Sequence, residues 1–166
     1  ALGTGGMISK IKAARKVNSA GIPMVIARGD LPNILLKLFA GHKQGTYFIP
    51  RKQKLASRKC WIAFSLKPKG IIRIDDGAMK AILNDGKSLL PSGIIAVQDD
   101  FGVGAPVEFR NRNDETLGIG LVNYSSTEIQ KIMGLKSNHI MQVLGHKSYD
   151  EVIHRDNLAV TVGRDV

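Results

Sequence analysis

A short glycine loop near the start of the chain is the strongest chemical signal in the sequence. It runs from Thr4 to Lys10 and leads directly into a helical pattern. Gly5 and Gly6 have no Cβ, so a phosphate group can approach their backbone amides closely. The helix N-terminus and Lys10 add positive charge. The spacing differs from the P-loop pattern G-x-x-x-x-G-K-[ST]. These residues alone therefore leave two alternatives open, a phosphate-binding loop and a plain strand-to-helix turn.

Other side chains capable of chemistry form no catalytic or metal-binding pattern. His154-Arg155-Asp156 matches part of the protein-kinase catalytic loop, but that motif needs an asparagine where this chain has Thr161. We therefore expect a structural role for it. The four histidines lack Cys-x-x-Cys and His-Glu-x-x-His surroundings, so we predict no zinc site. Asp75-Asp76 and Asp99-Asp100 could suggest a metal or acid–base pair, but turn chemistry is the preferred interpretation.

An amphipathic helix is predicted directly after the glycine loop. Apolar residues recur at helical spacing from 8 to 17 with lysines and arginines between them, and Gly21 suits a helix end. Residues 23–27 predict a buried strand, and residues 31–40 predict a second helix that ends at Gly41. This order of loop, helix, strand and helix is typical of an α/β layer.

A basic connection follows the second helix. Residues 42–59 are polar and rich in lysine and arginine, and residues 45–48 allow a short strand. The apolar run Trp61-Ile62-Ala63-Phe64 predicts another strand. Lys67-Pro68-Lys69-Gly70 has the composition of a linker.

From Ile71 onward the sequence indicates a small β-rich domain. Two short helices interrupt it: one begins with a capping box from Ser125 to Glu128, and the other spans residues 137–145. Several short strands with few helices predict a small barrel. The strand candidates are Ile71–Ile74, Ile94–Val97, Val107–Arg110, Leu117–Val122 and Leu158–Val162.

The charge of the chain is distributed unevenly. Residues 1–70 contain 14 Lys/Arg and one acid, so 14 − 1 = +13, and residues 71–166 contain 10 Lys/Arg and 13 acids, so 10 − 13 = −3. The sum is the net charge of +10. A single domain rarely segregates charge in this way. The pattern predicts two units, of which the basic one meets an anion.

The remaining composition indicates a soluble intracellular fragment. No apolar stretch is long enough for a membrane span. The first residues lack the basic and apolar regions of a signal peptide, and there is no initiator methionine. We interpret the chain as a fragment whose upstream strands are missing. The single cysteine, Cys60, cannot form an internal disulfide, which fits a reducing cytoplasm.

The order of motifs along nearly the whole chain resembles the C-terminal part of bacterial glutamate 5-kinases. The glycine loop resembles the nucleotide loop of that family. Asp99 and Ala105 depart from it, since many members have a glycine and an acid at these places. The further motifs that follow in the family's order are Gly45-Thr46-x-Phe48, Arg58-Lys59-x-Trp61-Ile62, Asp76-Gly77-Ala78, Ser88-Leu89-Leu90-Pro91-x-Gly93-Ile94, Asn123-Tyr124-Ser125-Ser126 and His154-Arg155-Asp156.

The resemblance implies a cytoplasmic enzyme that uses ATP and Mg²⁺ to phosphorylate the side-chain carboxylate of L-glutamate, the first step of proline synthesis. Homo-oligomers and feedback inhibition by proline are further expectations of the family. Most of the catalytic site would lie outside these 166 residues, so we predict that the fragment alone is inactive. Lys10 is the expected catalytic residue, because its charge can neutralise the transferring phosphoryl group. The residues that match the ATP-binding stretch are Thr4, Gly5, Gly6, Met7, Ile8, Ser9 and Lys10.

The resemblance also implies the fold. Residues 1–66 correspond to the end of an α/β amino-acid-kinase domain, and residues 71–162 to a mainly-β pseudo-barrel of the PUA type. PUA modules of RNA-modifying enzymes bind RNA, but a net charge of −3 and sparse aromatics suit a polyanion poorly. We therefore place a regulatory or structural role above RNA binding. The alternative function is an RNA-binding PUA module with a basic N-terminal extension.

Overall fold

The chain folds into two compact units. The computed structural model describes residues 6–19, 21–50 and 57–162. One unit comprises residues 1–57 and the other residues 58–165. This division lies earlier in the chain than the predicted boundary after residue 66, because residues 58–66 pack with the second unit.

The N-terminal unit alternates helices and short strands. Helix α1 (Met7–Ser19) precedes strand β1 (Met24–Ile26), and helix α2 (Ile34–Phe39) precedes strand β2 (Thr46–Phe48). The two strands pair antiparallel. The predicted order of helix, strand and helix is confirmed, but α2 is shorter than the predicted range of residues 31–40. It begins late because Asn33 adopts a left-handed conformation, with φ of 55°, which is incompatible with a helix interior.

Helix α1 turns one narrow face inward. Ala14 is fully buried, and Ile11 and Val17 are half-buried. This spacing of three residues is the inward period of an amphipathic helix. Ile8, which continues the same period in the sequence, is 71% exposed. Near the other end of the helix, the Asn18 side-chain amide donates a hydrogen bond to the Ile49 carbonyl at 3.3 Å.

The C-terminal unit is built on a five-stranded mixed sheet. The strands are β3 (Ile71–Ile74), β4 (Ile94–Gln98), β5 (Pro106–Arg110), β6 (Thr116–Leu121) and β7 (Leu158–Val160), in the order β4-β3-β5-β6-β7. Only the β3–β5 pair is parallel. All five predicted strands are therefore present. The alternating buried residues of β3 and β5 enter one continuous apolar core: Ile72, Ile74, Val107 and Phe109.

Two further helices close this core, as predicted. In α5 (Ser126–Ile132) the apolar Ile129 and Ile132 are fully buried, and α6 (Ile140–Leu144) follows a 3-10 turn. The predicted capping box is confirmed: Ser125 Oγ accepts from the Glu128 amide, and a Glu128 carboxylate oxygen accepts from the Ser125 amide at 2.8 Å. His146 Nε2 lies 3.0 Å from the other Glu128 oxygen. The hydrogen bonds from Ser125, supplemented by His146, lower the pKa of Glu128 below its usual range.

The predicted strand at Trp61–Phe64 was wrong, because this segment belongs to helix α3 (Ser57–Ser65). Ile62 and Ala63 are buried against Ala159, whereas Trp61 is half exposed. A four-residue apolar run fits a buried strand and a helix face equally well. The tertiary contact with the sheet decides in favour of the helix.

Helix α4 (Asp76–Asp85) was missed by the sequence analysis, which interpreted Asp75-Asp76 as a turn. Asp75 is instead the N-cap residue, and its Oδ1 accepts from the Ala78 amide at 2.7 Å. Gly86 ends the helix in a left-handed conformation with φ of 62°. Ile82 is the fully buried contact of this helix with the core.

Candidate nucleotide-binding loop

The start of helix α1 has the features expected of an anion site, as far as the structure describes it. Thr4 and Gly5 lie outside the described residues. Gly6 is exposed, and an added Cβ there would meet no atom within 4 Å. The local packing therefore does not explain why this residue is glycine. The first helical turn contains no acidic side chain that would repel an anion.

The predicted site residues that follow Gly6 are all exposed on the first turns of α1. Ser9 turns back on the loop: its amide donates to the Gly6 carbonyl at 3.1 Å, and its hydroxyl donates to the same oxygen at 2.7 Å. Met7 is 60% exposed, and Lys10 is exposed one turn further along. The structure thus brings Gly6 and Ser9 together at the helix start and leaves this end of the helix open to solvent. ATP binding here stays a prediction.

The basic residues on the C-terminal sheet are arranged differently, because carboxylates engage them. Arg110 Nη2 lies 2.6 Å from Glu108 Oε2, and Arg73 Nε lies 3.0 Å from Asp114 Oδ1. The hydrogen bonds that Arg110 donates to Glu108 raise the pKa of Arg110, and the hydrogen bond that Arg73 donates to Asp114 lowers the pKa of Asp114. Arg112 lies 3.9 Å from Asp76. These carboxylates offset the positive charge of the three arginines.

The acidic pairs and the His-Arg-Asp segment have structural roles in the fold. Asp99 adopts a turn conformation with φ of 70°, and Asp100 accepts a hydrogen bond from the Ser126 hydroxyl at 2.7 Å. His154 Nδ1 accepts from the Asp156 amide at 3.2 Å and caps a 3-10 turn. Sequence analysis missed a cleft that this segment lines together with residues near the start of α4. Its members are far apart in sequence, so no motif indicated it.

Residues 6–19, 21–50 and 57–162 contain neither a metal-ligand cluster nor a helix that could span a membrane. No group of three histidine, cysteine, aspartate or glutamate side chains is placed there to hold a metal ion. None of the helices in those ranges has the length and apolarity needed to cross a membrane.

Comparison with known proteins finds similarity to a PUA domain and to glutamate 5-kinases. The PUA domain model matches residues 70–144. The glutamate 5-kinase of Syntrophus aciditrophicus is 57% identical over 159 residues, which is 96% of this chain and 41% of that protein. The glutamate 5-kinase of Thermoanaerobacter sp. (strain X514) is 48% identical over 158 residues, which is 95% of this chain and 42% of that protein.

A solved PUA domain from Aeropyrum pernix K1 is also similar, with 20% identity and a TM-score of 0.39 over 58% of this chain and 48% of that chain. The resemblance to glutamate 5-kinases that the motifs indicated is confirmed, and the chain spans about two fifths of the length of these curated relatives. The β-rich unit thus contains a PUA domain, and the chain as a whole is a homologue of the glutamate 5-kinases.

Proposed function

We propose that this chain is part of a cytoplasmic glutamate 5-kinase that transfers the γ-phosphoryl group of MgATP to the side-chain carboxylate of L-glutamate. The product is glutamyl 5-phosphate, the first intermediate of proline synthesis. The proposal is carried by one observation: similarity to proteins of this name extends over 95–98% of the chain at 45–57% identity. Proline as a feedback inhibitor and a homo-oligomeric state belong to the same proposal.

In this proposal the start of α1 binds the phosphates of ATP. Phosphoryl transfer depends mainly on positioning and on stabilising the charge of the transferring group. Backbone amides at Gly5 and Gly6 would hold phosphate oxygens, and the open space around Gly6 permits this approach. The Lys10 ammonium would neutralise negative charge that develops in the transition state. Thr4, Met7, Ile8 and Ser9 complete the proposed binding stretch.

Magnesium enters this proposal only as part of the substrate MgATP. The described residues place no cluster of metal-ligating side chains at the start of α1, so we derive no step from a metal ion bound to this chain. Most groups that position glutamate and the metal would lie elsewhere in a longer protein. The 166-residue chain alone should therefore be inactive.

The test is L-glutamate-dependent ATP turnover by the full-length protein that contains this chain. Lys10→Ala should lower kcat by about 10²–10³, as for the loss of one donor that stabilises transition-state charge. Lys12→Ala is the matched control, since Lys12 is exposed on the same helix and lies outside the predicted stretch. A full-length protein without this turnover would overturn the proposed function. A Lys10→Ala enzyme with normal kcat and ATP KM would refute only the role of Lys10.

RNA binding by the PUA domain ranks lower. Affinity for a polyanion depends on cations that are available to phosphates. On the described sheet and in the turn after β5, Arg73, Arg110 and Arg112 each lie next to a carboxylate. A structural or regulatory role of this domain in the kinase fits the charge distribution better.

A further inference from the structure

A cleft in the C-terminal unit has the size and rigidity of a small-molecule site. Its volume is about 710 Å³, within the usual range of ligand pockets. Three segments form its walls: the start of α4, the connection at residues 87–93, and residues 151–155. None of these segments belongs to the loop at the start of α1.

Backbone hydrogen bonds fix the walls of the cleft relative to one another. The Leu89 amide donates to the Ile153 carbonyl at 2.9 Å, and the Val152 amide donates to the Leu89 carbonyl at 2.8 Å. The Asp75 amide donates to the Gly93 carbonyl at 2.9 Å. The cleft is thus largely preformed, which lowers the entropic cost of binding a ligand.

One part of the lining offers hydrogen-bond donors. Ser88 Oγ accepts from the Arg155 amide at 2.9 Å, which leaves the Ser88 hydroxyl proton available to a ligand. His154 Nδ1 accepts from the Asp156 amide, so in the neutral ring the proton is on Nε2, which can donate. Lys87 and Arg155 add positive charge to the same lining, and Arg155 Nε also lies 4.0 Å from Asp156 Oδ1. Together these groups suit a carboxylate.

The lining also contains negative charge. Asp75 and Glu151 face the same cleft. Within the described residues, neither Lys87 nor Glu151 has a side-chain hydrogen bond or ion pair. Carboxylates at these positions would repel a phosphate or a simple carboxylate, and the cations would repel a simple amine. A ligand with both charges satisfies both parts of the lining.

We propose that this cleft binds a small zwitterion, namely an amino acid whose carboxylate meets Lys87 and Arg155 and whose ammonium group meets Glu151. Each charge-assisted contact would contribute to affinity, and loss of either should weaken binding about tenfold or more. The proposal does not depend on the kinase function, because it rests only on residues of the C-terminal unit.

The first experiment titrates the intact 166-residue chain, labelled with ¹⁵N, with each of the common L-amino acids at millimolar concentration. At least one should shift the amide signals of Gly77, Ser88 and Gly93. For the amino acid that binds most tightly, the corresponding deaminated acid and decarboxylated amine should each bind about tenfold more weakly. Inorganic phosphate serves as the third probe. Absence of shifts from every amino acid would overturn the proposal, and so would equal or tighter binding of the deaminated acid or of phosphate.

The second experiment locates the charges by substitution. Glu151→Gln and Arg155→Gln should each weaken the same amino acid about tenfold, and Glu151→Gln should leave the affinity for its deaminated acid equal or stronger. Lys131→Gln is the matched control, because Lys131 is exposed on α5 away from the cleft. A dispersed amide spectrum verifies that each variant is folded. Unchanged affinity in both cleft variants would overturn the assignment.

Discussion

Gly118 is the residue at which one added methyl group should disturb the PUA domain most. It lies on β6, between β5 and β7, opposite Phe109 on one side and Val160 on the other. An added Cβ would fall 2.5 Å from Phe109 Cζ and closer still to the Ala159 carbonyl oxygen. Phe109 is fully buried and the Ala159 atom belongs to the backbone, so neither can move aside without shifting a strand.

Gly118→Ala should therefore lower the free energy of unfolding by about 2–3 kcal/mol. Overpacking of a core typically costs about 1–3 kcal/mol, and the backbone obstacle places this site at the upper end. The entropic advantage of alanine over glycine offsets roughly 0.5–1 kcal/mol. At roughly 4–8 °C per kcal/mol for a domain of this size, the Tm of the C-terminal unit should fall by about 10–20 °C.

Thermal unfolding followed by circular dichroism, with urea titration as the second probe, measures this change. Gly102→Ala is the matched control, since a Cβ at Gly102 would meet nothing within 4 Å and its φ is not positive. Its Tm should stay within about 3 °C of the unmodified chain. Equal Tm values for the two variants would refute the argument from close packing.

Three other outcomes are expected. Glu128→Gln should lose about 1 kcal/mol at pH 7. The folded pKa of Glu128 is lowered, so its charge stabilises the fold at pH values above the pKa of the unfolded chain. That contribution disappears as the pH falls through the folded pKa, and the melting curves of the two chains should converge once the pH is below it. A persistent difference there would contradict this. Labelled RNA should bind the whole chain more weakly than about micromolar at about 150 mM salt; tighter binding that Arg110→Glu abolishes would favour the RNA-module alternative. Hydrogen exchange should show cooperative protection of the C-terminal sheet and little across residues 10–40 of a monomer, because the described part of the N-terminal unit buries one apolar side chain fully. Strong protection of that range would contradict this expectation.

The strands of the PUA domain could be predicted from sequence because their signals are local. Apolar residues marked each of the five strands, and turn residues marked their ends. The capping box located α5. The segment at Trp61 was misassigned because helix and strand share the same apolar run, and only contact with Ala159 distinguishes them. The α4 helix was missed because an aspartate before a glycine also begins turns. The cleft could not be predicted because it depends on the antiparallel contact of Leu89 with Ile153. No spacing in the sequence reveals this long-range pairing.

The way α1 is held is a second reason to expect that this chain alone is inactive. Catalytic groups must be fixed within about 0.5 Å of their productive geometry. Among the described residues of the N-terminal unit, Ala14 is the one fully buried apolar side chain, while Leu35, Leu36 and Phe39 are 66%, 71% and 91% exposed. So small a buried apolar surface contributes little to holding α1 in place. In the proposed kinase, a longer protein would supply both the missing catalytic groups and the contacts that hold this helix precisely. Restoring turnover should require the contacts that a longer protein makes with this unit, and adding ATP or glutamate in excess should not replace them.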